Sequence, residues 1–242
     1  MASSHSNEKG LAESAANFEG FDNKGHRERL KSRFQADSGA SFKDTEFLEL
    51  VLFRSIPRRD TKPIARRLIH RFGSFSEVLS APENLLLEVK GVGQAVVLDL
   101  KLIKAAGEKL ARGALQERTV LNSWTALLEY CRTTMGLNEI EQFRVLFLDK
   151  KNNLLRDEVF QEGTIDHTPV YPREVIKRAL ELSSSALILV HNHPSGDPTP
   201  STADITMTKE LDKIASSMSI KIHDHLIISR DKHVSLKSLN IL

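Results

Sequence analysis

The sequence has one cysteine, Cys131, among its 242 residues. A single cysteine excludes a disulfide within the chain, and it excludes zinc sites built from several thiolates. This cysteine usage is typical of proteins in a reducing compartment, and we therefore expect a cytoplasmic protein. We expect Cys131 itself to be a packing residue of a helix, because no neighbouring residue marks it as an activated nucleophile.

Long apolar runs are lacking as well. Stretches such as Ala186–Val190 are far shorter than the roughly 18 residues that a membrane-spanning helix needs. Residues 1–14 contain no apolar segment of the kind that a secretory signal requires. From these absences we expect no membrane partner and no secretory signal.

The composition that is present suits a folded protein. Hydrophobic residues make up 40% and charged residues 27% of the chain, which is sufficient apolar material for a core. The net charge is only +2, but the segment from Arg54 to Arg71 holds seven basic residues against one acidic residue, Asp60. Such a run can contact a phosphate backbone, although a solvated helix face has the same pattern.

The residue patterns divide the chain into four parts. Residues 1–24 are rich in small and polar residues, which predicts a disordered or weakly ordered tail. Residues 25–112 have helical periodicity, residues 113–122 have the composition of a linker, and residues 123–242 alternate strands with helices. The predicted fold class is therefore α+β or α/β, with a small all-α N-terminal domain before an α/β domain.

Apolar periodicity and turn residues place the main elements. Pro63 and Pro172 suit the first turns of two helices, and a long helix is predicted from about Gln94 to Arg112, with Gly113 as its stop. Apolar runs predict a helix over residues 202–218 and strands over residues 143–148, 154–160, 186–190, 220–229 and 234–236.

Residues with metal-ligand chemistry follow the predicted strand 186–190. Alternate residues of a strand point to the same side, so His191 and His193 can present their imidazoles together at the end of this strand. The proline-rich and glycine-containing loop 194–200 then reverses the chain, and Asp204 falls in the first turn of the next helix. Two histidines and one carboxylate, with a position left for water, are a typical catalytic zinc arrangement.

Ser201 and Asp204 have a second interpretation. Their spacing is also that of a capping box, in which both residues serve only to begin a helix. The complete pattern of two histidines, a serine and an aspartate favours a metal site, since each residue type has a role there. A second H-x-H pair, His223 and His225, has no third ligand at a similar spacing. We expect this pair to be structural, with Asp224 or His225 at most supporting the metal ligands.

The segment HNHPSGDPTPSTAD, residues 191–204, resembles the JAMM motif of the MPN-type zinc metalloproteases. With Asn192 between the histidines, it is similar to the RadC branch of that group. Three neighbouring segments agree with this resemblance: Glu162-Gly163-Thr164, Pro172-Arg173-Glu174 and Asp224-His225-Leu226-Ile227-Ile228. The resemblance covers residues 25–242, and it implies an MPN-type α/β fold of cytidine-deaminase-like architecture for the second domain.

The resemblance implies roles for individual residues. His191, His193 and Asp204 would bind one zinc ion, and Ser201 would help to stabilise an oxyanion. A zinc ion lowers the pKa of bound water towards about 7, and the implied reaction is hydrolysis of a peptide or isopeptide bond in a peptide or protein substrate. Deubiquitinating members commonly carry Ser or Thr where Asn192 stands. The resemblance therefore implies metal chemistry more firmly than it implies a ubiquitin-like substrate.

The family also uses a glutamate beside its first strand as the general base. Glu141 matches best, because the segment from Glu141 to Leu146 resembles the family's glutamate followed by an apolar strand. Glu139 is the second choice, since residues 139 and 141 of an extended chain point to the same side. Glu162 and Glu174 match less well.

Residues 87–93, between two predicted helices, resemble a helix-hairpin-helix. The glycines permit a tight turn, and backbone N–H groups at the start of the next helix can contact phosphates without reading the base sequence. A compact helix connection has the same pattern. Taken with the basic run and the RadC-like arrangement, the motif predicts nonspecific DNA contact through Arg58, Arg59, Arg66, Arg67, Lys90, Gly91 and Gly93.

Two functions from different classes follow. The first is a zinc metallopeptidase of the JAMM type that carries a nonspecific DNA-binding appendage. The second is a nonenzymatic, DNA-associated protein linked to DNA repair, in which the metal site is structural or serves partner binding. A zinc nucleobase deaminase is disfavoured, because it requires H-x-E with C-x-x-C and the chain has one cysteine.

Overall fold

The computed structural model describes residues 25–116, 124–163 and 170–242. The chain divides into two compact units, Met1–Ala105 and Ala106–Leu242. The predicted tail 1–24 and residues 117–122 of the predicted linker lie outside the described residues. The prediction of a helical region followed by a mixed α/β domain is confirmed.

The described part of the N-terminal unit is helical. Its elements are α1 over residues 25–37, α2 Asp44–Ser55, α3 Lys62–Phe72, α4 Phe75–Ser80, α5 Glu83–Leu87 and the first half of α6 Gln94–Gln116. Within the described ranges of the chain, no helix is both long enough and apolar enough to span a membrane.

One apolar cluster joins helices α2 to α6. Leu48 and Leu52 of α2, Leu68 of α3, Leu86 of α5 and Leu100 of α6 are completely buried in it. The α5–α6 connection contains Gly91, whose φ of +98° favours glycine. A Cβ atom on Gly91 would also lie 2.9 Å from Ile64 Cδ1. The glycine therefore allows the connection to pack closely on α3.

The predicted end of α6 is wrong. The helix continues through Gly113 to Gln116, so the predicted linker begins with helical residues. Beyond the backbone of α6 itself, a Cβ atom on Gly113 would meet no atom of the described residues within 4 Å, so those residues do not require a glycine there. Glycine inside a helix costs only about 1 kcal/mol relative to alanine, which is too little to stop a helix by itself.

The C-terminal unit contains one mixed five-stranded sheet and three complete helices. Its elements are α7 Trp124–Met135, β1 Gln142–Leu148, β2 Leu154–Glu162, α8 Pro172–Glu181, β3 Ala186–Asn192, α9 Thr202–Ser217, β4 Lys221–Ile228 and β5 His233–Ser235. The strand order is β2-β1-β3-β4-β5. Strand β1 is antiparallel to both β2 and β3, β3 is parallel to β4, and β5 is antiparallel to β4.

Helices cover both faces of the sheet. Helix α7 packs on one face against Leu146, Ile188 and Val190, and its Cys131 is completely buried, as expected for a packing residue. Helices α8 and α9 pack on the other face against residues that include Leu187 and Leu189. All seven residues of β3 are buried, as is typical of a strand that is covered on both sides.

Side chains along β3 point alternately to the two faces of the sheet, and this pattern continues to the last residues of the strand. Ile188 and Val190 face α7, so Asn192 belongs to the α7 face. Leu187 and Leu189 face α8 and α9, so His191 belongs to that face. The crossover from β3 to the parallel strand β4 runs through α9, which begins near the carboxyl end of β3. The fold therefore brings His191 and the first turn of α9 together.

Candidate metal centre

Three side chains converge where β3 ends and α9 begins. His191 Nε2 lies 2.9 Å from His193 Nε2 and 3.4 Å from Asp204 Oδ1, and His193 Nε2 lies 3.7 Å from Asp204 Oδ2. His191 and Asp204 are each only 1% exposed, and His193 is half-buried. The structure thus brings together the three residues that the sequence selected as metal ligands.

The Nδ1 atom of His191 is fixed by a buried chain of hydrogen bonds. Thr208 Oγ1 donates to the Asp204 carbonyl over 2.5 Å, so its oxygen accepts from His225 Nδ1 over 2.6 Å. Burial, and then the charge of His191, lower the pKa of His225 well below its ordinary value, so His225 is neutral. Its Nε2 atom therefore accepts from His191 Nδ1 over 2.8 Å, and the lone pair of His191 lies on Nε2.

His193 is oriented in the same sense by the loop that follows it. Its Nδ1 atom lies 2.8 Å from the carbonyl oxygen of Asp197. A carbonyl oxygen can only accept, so His193 Nδ1 donates and its Nε2 atom also carries a lone pair. The Asp197 carboxylate in turn accepts from the backbone N–H and the hydroxyl of Thr199, which shapes the loop around His193.

The two Nε2 lone pairs and Asp204 form a set of atoms that suits a cation. Two lone pairs 2.9 Å apart repel each other unless a proton or a metal ion lies between them. Ligands about 2.1 Å from a tetrahedral zinc ion would lie about 3.4 Å from each other, and the observed separations of 2.9, 3.4 and 3.7 Å surround this value. Among the described residues, no donor bonds to the buried Asp204 Oδ1 atom. This donor set can therefore hold a metal ion.

Asp204 serves as a helix-capping residue at the same time. Its Oδ2 atom accepts from the backbone N–H and the hydroxyl of Ser201, both over 2.7 Å, while Ser201 Oγ accepts from the Asp204 N–H over 3.1 Å. This reciprocal pair is a capping box at the start of α9. The two interpretations of Ser201 and Asp204 are therefore compatible, because one carboxylate oxygen begins the helix and the other faces the histidines.

Charge around the cluster favours a cation. Burial raises the pKa of Asp204, but the close approach of the His191 and His193 imidazoles, which bond to the carboxylate when they are protonated, outweighs burial and holds this pKa far below its ordinary value. Hydrogen bonding with Asp204 raises the pKa of His193, and the charge of Glu141 adds to this effect. The Asp204 carboxylate is thus ionised at neutral pH, and it stabilises positive charge on the imidazoles.

The sheet register, continued beyond the paired residues, directs Glu141 towards this cluster. Phe143 and His191 are Cα partners in the antiparallel pair of β1 and β3, so the same register continued by two residues sets Glu141 opposite His193. Phe143 packs on the α8 and α9 face, and Glu141 has the same parity as Phe143. The influence of Glu141 on the pKa of His193 agrees with this position.

The other glutamates occupy different places. Glu139 is exposed and lines a cavity of about 490 Å³. Glu162 is the last residue of β2 and is exposed, and Glu174 pairs with its neighbour Arg173 over 3.0 Å. The geometry therefore supports Glu141 over Glu139 as the candidate base, and its catalytic role stays a prediction.

The cavity lies beside the loop that follows His193. Residues 136–139, 194–196 and 230–232 line it. Pro194 directly follows His193, and Glu139 lies two residues before Glu141.

The comparison with protein families agrees with this geometry. The family model of the RadC-like JAB domain matches residues 121–241, half of the chain. The chain belongs to the RadC family. The region matched by the RadC-like JAB domain contains all five strands of the sheet and the residues His191, His193 and Asp204.

In this RadC-like domain, the sequence did not reveal the hydrogen-bonded chain behind His191. The sequence pattern assigns His225 at most a supporting role, and it assigns Thr208 none. Thr208 lies four residues after Asp204 on α9, so helical spacing places both on one face. His225 comes close to His191 through the pairing of β3 with β4, in which it is the partner of Leu189, and no local sequence pattern predicts this pairing. His223 instead bonds to Asn152 Oδ1 over 2.7 Å.

The nucleic-acid candidates of this RadC protein lie in its N-terminal unit. Arg67 Nη2 donates to the Lys90 carbonyl over 2.9 Å, so the basic run meets the turn that holds Gly91. Arg58, Arg59, Arg66, Arg67, Lys90 and Gly93 are exposed. Their contact with DNA, and the assignment of residues 87–93 as a helix-hairpin-helix, stay predictions.

Proposed function

We propose that the C-terminal domain is a zinc-dependent metallohydrolase of the JAMM type that cleaves a peptide or isopeptide bond. The observation that carries this proposal is the convergence of two imidazole Nε2 atoms and an ionised carboxylate within 4.8 Å. Each histidine directs its Nε2 lone pair inward because its Nδ1 atom is held by another acceptor. A zinc ion held there by His191, His193 and Asp204 would acidify water and polarise a carbonyl group.

The chain's own residues supply the proton transfers. The candidate base Glu141 accepts a proton from the attacking water and donates it to the leaving amine. The register of β1 with β3, continued by two residues beyond the paired positions, supports this role. The Ser201 hydroxyl donates to Asp204 Oδ2, so it must leave this bond before it can donate to an oxyanion. The structure therefore supports orientation of Asp204 as the first role of Ser201, and oxyanion stabilisation as a role that needs rotation of its hydroxyl.

Metal content tests this function directly. Protein purified without chelators should contain about one zinc ion per chain by mass spectrometry. The variants His191→Ala and His193→Ala should lose the zinc, while Glu141→Gln should keep it because Glu141 is not a ligand. His223→Ala is the matched control, since His223 belongs to the second H-x-H pair and bonds to Asn152 instead.

Activity then separates binding from catalysis. In a peptide library, the zinc-loaded wild-type protein should cleave substrates that Glu141→Gln cleaves about 100-fold or more slowly. Wild-type protein without zinc, or a Glu141→Gln variant with full activity, would contradict the proposed hydrolase.

A second function, nonspecific DNA binding by the N-terminal unit, has its own support. The hydrogen bond from Arg67 to the Lys90 carbonyl joins the basic helix α3 to the glycine-containing turn. Exposed arginines and lysines near a helix start can bind phosphates. This function would hold whether or not the metal site is catalytic.

A further inference from the structure

Asn192 lies between the two histidines in sequence, but on the opposite face of the sheet. It is 1% exposed, and it shares the α7 face with Ile188 and Val190. A buried amide needs hydrogen-bond partners, because an unsatisfied polar group inside a protein is costly. The partners that the structure gives Asn192 lie between Asn138 and Gln142, the first residue of β1.

The Asn192 amide bonds to the chain on both sides of Glu141. Its Oδ1 atom accepts from the Gln142 N–H over 2.8 Å. Its Nδ2 atom donates to the carbonyl of Ile140 over 3.1 Å and to that of Asn138 over 3.3 Å. One side chain thus fixes the backbone immediately before and immediately after Glu141.

A fourth hydrogen bond, which does not involve Asn192, completes this arrangement. The Gly163 N–H donates to the carbonyl of Glu141 itself over 2.8 Å. The paired register of β1 with β3 begins only at Phe143 and His191, so Glu141 stands beyond the ladder that aligns the two strands. The amide of Asn192 extends the connection between the strands past the end of that ladder.

Only an amide side chain can make all these bonds at once. An Asn side chain offers an acceptor and two donor hydrogens, whereas a Ser or Thr hydroxyl offers a single donor hydrogen. The direction of the Glu141 side chain follows from the backbone at residues 140–142, because Cα and Cβ positions are set by that backbone.

We propose that Asn192 is a positioning residue that holds Glu141 against the histidine and carboxylate cluster. This inference rests on the proposed function, because it assigns Asn192 a role through the candidate base. Asn192 does not contact the reacting atoms, and it does not bind the metal.

Binding of acetohydroxamic acid to the zinc-loaded full chain tests this role without a known substrate. A hydroxamate coordinates zinc through its oxygens, and its hydroxyl group can bond to a carboxylate beside the metal. Calorimetry should show that Glu141→Gln weakens this binding about tenfold or more, since a hydrogen bond to a charged group is lost. Asn192→Ala should weaken the binding by a similar factor, and the double variant should bind no more weakly than either single variant.

Two further variants make the comparison specific. Asn192→Asp has nearly the same volume and keeps an acceptor for the Gln142 N–H, but it lacks the donor for the Ile140 carbonyl. Asn192→Asp should also lower the affinity for the hydroxamate. It replaces Asn192→Ala in the test if that variant fails to fold. Asn153→Ala is the matched control, because its amide bonds to Asp149 in the turn at the other end of β1; it should bind the hydroxamate as the wild type does.

The outcomes separate this inference from the proposed function. Zinc content should be equal in the wild type and in every Asn192 variant. A wild-type protein without zinc would overturn the proposed function. The positioning role is judged only where zinc is present and Glu141→Gln lowers the affinity for the hydroxamate. The role is then wrong if the Asn192 variants bind the hydroxamate with normal affinity. It is also wrong if the losses of affinity from the Asn192 and Glu141 substitutions add up in the double variant.

Discussion

At the scale of single residues, one hydroxyl group determines which nitrogen of His191 faces the cluster. Thr208 donates to the Asp204 carbonyl and accepts from His225 Nδ1. The Nε2 atom of His225 is therefore an acceptor, and His191 Nδ1 donates to it. Such partners fix the tautomer of a ligand and raise its basicity. The Thr208 hydroxyl should therefore contribute to metal affinity although it lies outside the ligand set.

Replacing Thr208 with valine removes this hydroxyl while nearly keeping the shape of the side chain. We expect Thr208→Val to weaken zinc binding about 10- to 100-fold, measured by competition with a chelating dye. Thr206→Val is the matched control, since Thr206 makes the same kind of bond to a carbonyl four residues earlier but is exposed. Equal zinc affinity in the two variants would show that the chain of hydrogen bonds does not reach the metal.

The sequence identifies the three residues of the cluster better than it identifies the residues that hydrogen-bond to them from behind. His191, His193 and Asp204 lie within 14 consecutive residues, and strand parity with a helix start is enough to group them. Thr208 and His225 reach His191 only through the packing of α9 and the pairing of β4 with β3. Those contacts depend on tertiary structure, and local sequence patterns do not predict them.

At the scale of elements, the start of α9 links helix formation to the metal cluster. The Ser201 hydroxyl both accepts from the Asp204 N–H and donates to its carboxylate. Loss of a helix N-cap typically costs about 1 kcal/mol. Here the same loss also removes one of the donors that orient the Asp204 carboxylate.

We expect Ser201→Ala to lower the melting temperature of the metal-free protein and also to weaken zinc binding. Ser74→Ala is the comparison, because Ser74 caps α4 in the N-terminal unit by accepting from the Glu77 N–H. It should remove a similar cap and leave zinc affinity unchanged. Unchanged zinc affinity in Ser201→Ala would mean that the hydroxyl has no role in orienting Asp204.

Element boundaries show where sequence patterns reach their limit. Strand β3 was predicted over residues 186–190, but it extends to Asn192, because His191 pairs with Phe143 and Asn192 pairs with Ile228. The polar character of His191 and Asn192 hid this extension. At α6 the error has the opposite origin, since Gly113 suggested a stop that the helix does not make.

At the scale of the whole molecule, the basic run and the histidine and carboxylate cluster are in different units. The basic run from Arg54 to Arg71 belongs to the unit Met1–Ala105, and the cluster belongs to the unit Ala106–Leu242. The two proposed functions therefore rest on separate residues, and they can be removed independently.

Neutralising Arg58, Arg59, Arg66 and Arg67 together, each to Gln, should weaken binding to duplex DNA and reduce its dependence on salt. Each lost phosphate contact should lower the slope of log affinity against log salt by about 0.9, measured by fluorescence anisotropy at several salt concentrations. The control replaces four exposed lysines of the other unit, Lys177, Lys209, Lys213 and Lys221. Identical slopes for the two quadruple variants would contradict DNA binding through the basic run, and zinc content should not change in either.

The double duty of Asp204 affects how related sequences can be interpreted. A related protein that held no metal would still need this carboxylate to begin α9, because the capping box uses its Oδ2 atom. The capping box makes no use of His193. In related sequences, a retained aspartate at this position is therefore weak evidence of metal binding, and a retained second histidine is stronger evidence.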